Sequence, residues 1–261
     1  MDWYEALILG IIQGLTEFLP VSSSGHLELG KVILNTEIKE DITFAMVVHA
    51  ATVLSILVVF FQELKTLVVE SFSFKWNTSH SYLLKLLISM VPVAIVGIFF
   101  RDQVEQFFTG NIVLVGSMLL ITAGLLTLSY FSKDRNKEIT YLHSLIIGIA
   151  QALAVLPGIS RSGATISTGL LLGNRRGDVA KFSFLMVLLP IIAANLLDLS
   201  SGEFSSGASI SPISLIIGFI AAFLSGLLAC KWMLSIVRKG KLIYFGIYCL
   251  VIGIIAIIVG A

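Results

Sequence analysis

Charged side chains are scarce in this sequence. Asp, Glu, Lys and Arg make up 13% of its 261 residues, whereas 57% are hydrophobic. In a soluble domain of this length, about a quarter of all residues are charged, and they cover its surface. The composition therefore excludes a soluble globular protein and predicts an all-α protein that crosses a membrane several times. The formal net charge of +1 argues against a nucleic-acid partner.

Cysteines and metal-binding patterns are also scarce. The two cysteines, Cys230 and Cys249, lie inside apolar runs, where a free thiol ordinarily packs as a small hydrophobic side chain. No Cys/His spacing predicts zinc, and no pair of clustered carboxylates suits a two-metal centre. We therefore expect no metal held by the protein alone. If a divalent cation such as Mg²⁺ or Ca²⁺ takes part, we expect it to arrive with the ligand.

Long apolar runs dominate what is present. A membrane-spanning helix needs about 20 mostly apolar residues. Two apolar regions, 4–30 and 142–173, are interrupted by LPVSSSGH and LPGISRSGAT. Each flanking segment is too short to cross alone, so we predict two re-entrant helical hairpins. Six further runs are predicted to span the membrane: 43–61, 82–100, 112–131, 182–199, 213–234 and 242–260.

The Lys and Arg residues predict the orientation of these spans. Basic loops stay in the cytoplasm. Eleven basic residues lie in the four loops 62–81, 132–141, 174–181 and 235–241, and only three lie in the loops on the opposite side. We therefore assign these four loops to the cytoplasm. The second hairpin then enters from inside. The first hairpin enters from outside, and both chain termini are predicted to be external.

The two interrupted regions resemble each other. Each copy is followed by three spans, and a hairpin plus three crossings turns the second copy upside down. We predict two inverted repeats in one membrane domain, residues 1–131 and 142–261, a plan in which broken helices form a binding site near the midplane. An offset of 138 pairs Gln13 with Gln151, Ser22 with Ser160, Ser24 with Ser162, and Gly25 with Gly163.

Ionisable residues at the interruptions predict a functional site, because a charge in the bilayer core costs about 3 kcal/mol on insertion scales. Glu17 and His26 belong to the first hairpin, and Arg161 belongs to the second. Helices that begin after the breaks point N–H groups to this place, which favours an anion. If the hairpins meet, hydroxyls and glycines join the three charges: Ser22, Ser23, Ser24, Ser160, Ser162, Thr165, Gly25, Gly158 and Gly163.

These residue types suit a phosphate. Arg161 offers a bidentate fork, and His26 can transfer a proton. Glu17 can orient His26 or act as the base, and a serine beside them is a candidate nucleophile. The structural interpretation also stands: serines permit close helix packing, and Glu17 and Arg161 can form a buried ion pair. Gln13 fits either interpretation, and His49 is a further candidate partner of the site.

The residues QGLTEFLPVSSSGH and PGISRSGAT resemble the two signatures of the undecaprenyl-diphosphate phosphatases, the bacitracin-resistance membrane proteins. The similarity runs through essentially the whole chain. The resemblance implies hydrolysis of undecaprenyl diphosphate to undecaprenyl phosphate and inorganic phosphate, which recycles the lipid carrier of cell-wall synthesis and confers bacitracin resistance. It also implies a bacterial plasma membrane location and a site that opens to the external face.

The resemblance further implies residue roles. Gln13 stands where some family members have Glu, which leaves Glu17 as the expected carboxylate. The implied roles are the acidic motif for Gln13 and Glu17, nucleophile or phosphate ligand for Ser23, catalysis for His26, and diphosphate binding for Ser160, Arg161 and Thr165.

Two other functions fit the same residues. A transporter or flippase for lipid phosphates would use the same anion site without hydrolysis, and it would need neither the acid nor the base. A small-anion channel would carry a polar stripe along several spans, which 242–260 lacks. For the phosphatase and for the transporter, the expected partners are a polyprenyl phosphate or diphosphate and the surrounding membrane lipids.

Overall fold

The protein is helical throughout the part that the structure describes. A computed structural model describes residues 1–33, 42–107, 111–133, 135–200 and 210–260. Within these ranges no β-strand forms, and the one isolated β-bridge joins Lys137 to Asn174. The helices are α1 (Trp3–Phe18), α2 (Ser23–Ile33), α3 (Ile42–Val59), α4 (Phe61–Ser71), α5 (Thr78–Phe99), α6 (Arg101–Glu105), α7 (Ile112–Tyr130), α8 (Tyr141–Leu153), α9 (Arg161–Leu171), α10 (Arg176–Met186), α11 (Leu188–Ser200), α12 (Pro212–Arg238) and α13 (Ile243–Gly260).

Five helical segments of the described chain are long and apolar enough to cross a membrane. They are α5, α7, the continuous pair α10–α11, α12 and α13, and a sixth span forms if α3 and α4 count as one segment bent by 77°. Their outer faces expose large apolar side chains such as Ile216, Leu224 and Ile247, as a surface in contact with lipid does. The prediction of an all-α, multi-pass membrane protein is confirmed.

Two helices are interrupted where the sequence predicted. Residues 19–22 separate α1 from α2, and residues 154–160 separate α8 from α9. The helix ends repeat the offset seen in the sequence: α1 begins at Trp3 and α8 at Tyr141, and α2 begins at Ser23 and α9 at Arg161. Two similar helix–break–helix units therefore exist. The inverted orientation of the repeats stays a prediction.

The two halves of the chain pack on each other reciprocally. The first helix of each interrupted pair packs on a long helix of the other half, α1 on α12 and α8 on α5, while α7 packs on α13. Glycines permit the close approach. A Cβ added at Gly10 would lie 2.5 Å from the Gly218 carbonyl oxygen, and one added at Gly148 would lie 2.3 Å from the Ser89 carbonyl oxygen. Each half therefore holds the other's interrupted helix in place.

The substitution Gly148→Ala is expected to destabilise the protein. The added methyl group would meet Ser89 backbone atoms at 2.3, 2.8 and 2.9 Å, and such overpacking typically costs about 1–3 kcal/mol. The matched control is Gly124→Ala in α7, because a Cβ there meets nothing within 4 Å. Thermal unfolding in detergent, followed by tryptophan fluorescence, should show a lower Tm for Gly148→Ala alone. Equal melting of the two variants would contradict the packing described here.

Candidate active site

Each break ends in a serine that caps the following helix. Ser22 has a left-handed backbone, with φ of 71°, a conformation that is uncommon for residues other than glycine. Its hydroxyl accepts the Gly25 N–H at 3.3 Å. At the equivalent place in the second break, the Ser160 hydroxyl accepts the Gly163 N–H at 3.1 Å. Such caps satisfy N–H groups that a helix leaves unpaired at its start.

The two breaks are in contact. The Ser162 hydroxyl donates to the Leu19 carbonyl oxygen at 3.2 Å. A Cβ added at Gly163 would lie 3.3 Å from Pro20 Cβ. Thr122 of α7 holds the second break, because its Oγ1 accepts the Ser160 N–H at 3.0 Å. The structure therefore brings together the two interruptions that lie about 138 residues apart in the sequence.

Glu17 lies at the centre of this contact. Its side chain is only 6% exposed. Gln13 Nε2 donates to Glu17 Oε2 at 3.0 Å, and Ser23 Oγ donates to the same oxygen at 2.8 Å. His49 Nε2 lies 3.9 Å from it, as the position of this histidine in the sequence suggested. Side chains from α1, α2 and α3 thus surround one buried carboxylate.

Arg161 faces Glu17 from the second break. Its Nη2 lies 3.6 Å from Glu17 Oε1, and its side chain is 32% exposed. This separation is an ion pair rather than a tight hydrogen bond, so the guanidinium keeps donors for another anion. Arg161 and Ser23 are the first residues of α9 and α2, and the positive ends of both helices lie beside the carboxylate.

His26 is oriented differently from the expectation that Glu17 would hold it. Its Nδ1 lies 2.9 Å from the Ser22 carbonyl oxygen, and its Nε2 lies 2.8 Å from the Tyr248 hydroxyl. A carbonyl oxygen only accepts hydrogen bonds, so Nδ1 carries a proton. In the neutral ring, Nε2 then accepts the Tyr248 O–H and is the nitrogen that can take up a proton.

Tyr248 is a site residue that the sequence did not reveal. It lies in α13 and stacks on the His26 ring with centroids 5.6 Å apart and an angle of 15° between the planes. The only signal was that Tyr248 is one of two tyrosines inside the otherwise apolar run 242–260, and aromatic side chains are enriched near the ends of membrane helices.

The remaining predicted ligands hold the backbone of the breaks. Ser24 Oγ lies 3.4 Å from Ser22 Oγ, and Ser162 Oγ lies 3.3 Å from Ser160 Oγ. Thr165 Oγ1 donates to the Arg161 carbonyl oxygen at 2.9 Å. A direct contact of these hydroxyls with a ligand stays a prediction, and their present bonds keep the first turns of α2 and α9 in place.

This geometry defines a class of protein. A guanidinium and two helix N-termini surround a buried carboxylate, and a hydroxyl and an imidazole complete the set. The protein is therefore a multi-pass membrane protein in which two interrupted helices bury a cluster of ionisable and hydroxyl side chains. The family described as bacitracin resistance protein BacA matches residues 6–255, and the chain belongs to this family.

Several relatives are similar over nearly their full length. The undecaprenyl-diphosphatase of Bacteroides fragilis is 54% identical over 263 residues, which cover 99% of this chain and 98% of the relative. The undecaprenyl-diphosphatase of Parabacteroides distasonis is 54% identical over 261 residues and 98% of each chain. That of Halothermothrix orenii is 40% identical over 261 residues, 99% of this chain and 98% of the relative.

Proposed function

We propose that this protein hydrolyses undecaprenyl diphosphate to undecaprenyl phosphate and inorganic phosphate. The reaction recycles the lipid carrier of cell-wall synthesis and accounts for bacitracin resistance. The observation that carries the proposal is the junction of the two breaks, where Glu17 accepts a hydrogen bond from Ser23 at 2.8 Å and faces Arg161 at 3.6 Å. The relatives' names agree with it, since they are called undecaprenyl-diphosphatases.

The diphosphate is bound by the positive groups at the junction. Arg161 pairs with phosphate oxygens and neutralises the charge that develops during transfer. The N–H groups at the starts of α2 and α9 add donors. The polyprenyl chain stays in lipid beside the apolar helices, which suits a membrane protein whose polar site is buried between them.

The chemistry transfers one phosphoryl group to water. An oxygen nucleophile forms a bond to the terminal phosphorus, and the bond from that phosphorus to the bridging oxygen breaks. Glu17 accepts the nucleophile's proton, and His26 supplies a proton to the leaving phosphate. The nucleophile is either a water molecule or Ser23 Oγ. In the second route water then cleaves the phosphoserine.

Any Mg²⁺ or Ca²⁺ that takes part is proposed to arrive with the diphosphate. These cations bind several oxygen ligands, usually including carboxylates. Glu17 is a single carboxylate that already faces Arg161. Within the described part of the chain, no three His, Cys, Asp or Glu residues cluster in a way that could hold a metal. The donor set therefore fits a cation already bound to phosphate oxygens better than one held by the protein.

The location and topology follow from the same proposal. The protein is proposed to lie in the bacterial plasma membrane, with both termini and the opening of the site on the external face. The excess of Lys and Arg in loops 62–81, 132–141, 174–181 and 235–241 supports this orientation. The reciprocal packing of α1 on α12 and of α8 on α5 is what the inverted repeats of residues 1–131 and 142–261 would produce.

Phosphate release by the purified protein in detergent tests the function. Undecaprenyl diphosphate should yield stoichiometric inorganic phosphate and undecaprenyl phosphate. Failure to cleave any polyprenyl diphosphate, with lipid binding that still depends on Arg161, would overturn the proposal in favour of a transporter or flippase that uses the same anion site.

The substitution Tyr248→Phe is expected to lower kcat by about three- to tenfold, the effect of one hydrogen bond. The Phe ring can keep the stacking on His26, but the bond of 2.8 Å to Nε2 is lost. Because that bond favours the neutral ring, whereas His26 donates its proton from the charged ring, the alkaline limb of the pH–rate profile should also move to higher pH. Tyr244→Phe is the control, since Tyr244 lies one turn earlier in α13 and is 65% exposed. An unchanged rate and pH profile in Tyr248→Phe would contradict a role in orienting His26.

A further inference from the structure

A small cavity lies beside Glu17, where the end of α1 and the start of α9 meet α3 and α10. Its volume is about 20 Å³. The polar part of its wall consists of Glu17, Arg161, Ser162 and Ser183, and the remaining lining is largely apolar. Three of these residues belong to the site already described. Ser183, in α10, does not.

The Ser183 hydroxyl is buried and unpaired. The residue is 5% exposed, and its Oγ has no hydrogen-bond partner among the described residues. Helical serines and threonines of this protein usually donate to a backbone carbonyl one turn earlier, as Ser144 does to Thr140 and Ser225 to Ala221. Burying a hydroxyl without such a bond destabilises a protein, so a partner at the cavity would remove that penalty.

The size and polar lining of the cavity suit a water molecule. A water molecule needs about 10–15 Å³ of such space and two to four polar neighbours. A cavity of about 20 Å³ therefore has room for one water beside Glu17 and Ser183. Glu17 Oε2 already accepts bonds from Gln13 and Ser23, and Oε1 has Arg161 at 3.6 Å. Oε1 thus keeps acceptor capacity for a water.

We propose that Ser183 holds the hydrolytic water against Glu17. This inference rests on the proposed function and adds a residue and a position for the nucleophile. The water oxygen forms the new bond to phosphorus, and its proton passes to Glu17. The bond that breaks joins phosphorus to the bridging oxygen, or to Ser23 Oγ if a phosphoserine forms first. One water is consumed in either route, so Ser183 serves both.

Ser183→Ala tests this role by separating kcat from KM. Removal of the hydroxyl should lower kcat for phosphate release by about ten- to a hundredfold, as loss of orientation at a reacting atom does. KM and the Tm should change little, because the proposed role of Ser183 is to bind the water and not the lipid or the diphosphate. The matched control is Ser167→Ala in α9. Ser167 is likewise fully buried with an unpaired hydroxyl, but it does not line the cavity.

The outcomes separate this inference from the proposed function. A wild-type protein that releases no phosphate overturns both. If the wild type is active and Ser183→Ala has the same kcat, the water site alone is overturned. The same holds if Ser183→Ala loses stability and rate to the same extent as Ser167→Ala. If Ser183→Ala does not fold, Ser183→Thr and Ser183→Val replace it, since they match in shape and only Thr keeps the hydroxyl. Equal rates for that pair would also overturn the inference.

Discussion

Glu17→Gln is expected to lower kcat by about a thousandfold, within the range for loss of a general base. The amide keeps the shape of the side chain and can still accept the bond from Ser23, but it cannot take up a proton. The buried position of Glu17, 6% exposed, means that bulk water cannot readily replace it. Phosphate release at saturating undecaprenyl diphosphate measures the effect, and binding of the lipid should be retained.

Glu138→Gln is the control for this change. Glu138 also pairs with an arginine, Arg175, at 2.9 Å, but its side chain is 79% exposed. Loss of this charge should leave the rate within about twofold, because exposed ion pairs contribute little. A Glu17→Gln protein that folds and keeps more than a tenth of the wild-type kcat would show that the proton goes elsewhere.

Arg161→Ala is expected to lower kcat/KM by about a thousandfold or more. Removal of one donor that stabilises developing charge typically costs about 10²–10³ in rate, and here the only guanidinium beside Glu17 in the described structure is lost with its binding energy. KM should rise as well, because in the proposed function Arg161 already binds the diphosphate in the ground state. Arg161→Lys should recover part of the binding but not the bidentate geometry.

Arg175→Ala serves as the matched arginine control. Arg175 is 45% exposed and forms its ion pairs with Glu138 and Asp178 away from the breaks. It should bind and cleave the lipid as the wild type does. If Arg161→Ala retained tight binding of an uncleavable diphosphonate analogue, the anion site would have to lie elsewhere on the protein.

Hydropathy predicted the spans because lipid leaves a chain few alternatives to a long apolar helix. It predicted 43–61 as a span but missed the continuation, since α4 (Phe61–Ser71) is a separate helix at 77° to α3. Gln62, Glu63 and Lys65 lower the hydropathy of that segment, so hydropathy alone does not distinguish this amphipathic helix from a loop.

The site was predictable where the sequence repeats itself and unpredictable where it does not. The offset of 138 and the charged side chains inside apolar regions predict that Glu17 and Arg161 converge. Arg161 Nη2 lies 3.6 Å from Glu17 Oε1. The contact of His26 with Tyr248 joins residues 222 positions apart, and no periodicity or motif marks Tyr248. Nothing in the sequence marks Ser183 as a site residue either, because a serine in a membrane helix is ordinarily a packing residue.

The reciprocal packing of the halves also sets the order of events during synthesis. Gly10 of α1 rests against Gly218 of α12, about 200 residues further along the chain. Ribosomes add roughly 5–20 residues per second, so α12 emerges on the order of 10–40 s after α1. Glu17 enters the bilayer well before Arg161 has been made. Helix α1 thus completes its packing only after α12 has been made, and the enzyme's site cannot close before Arg161 has followed Glu17 into the bilayer.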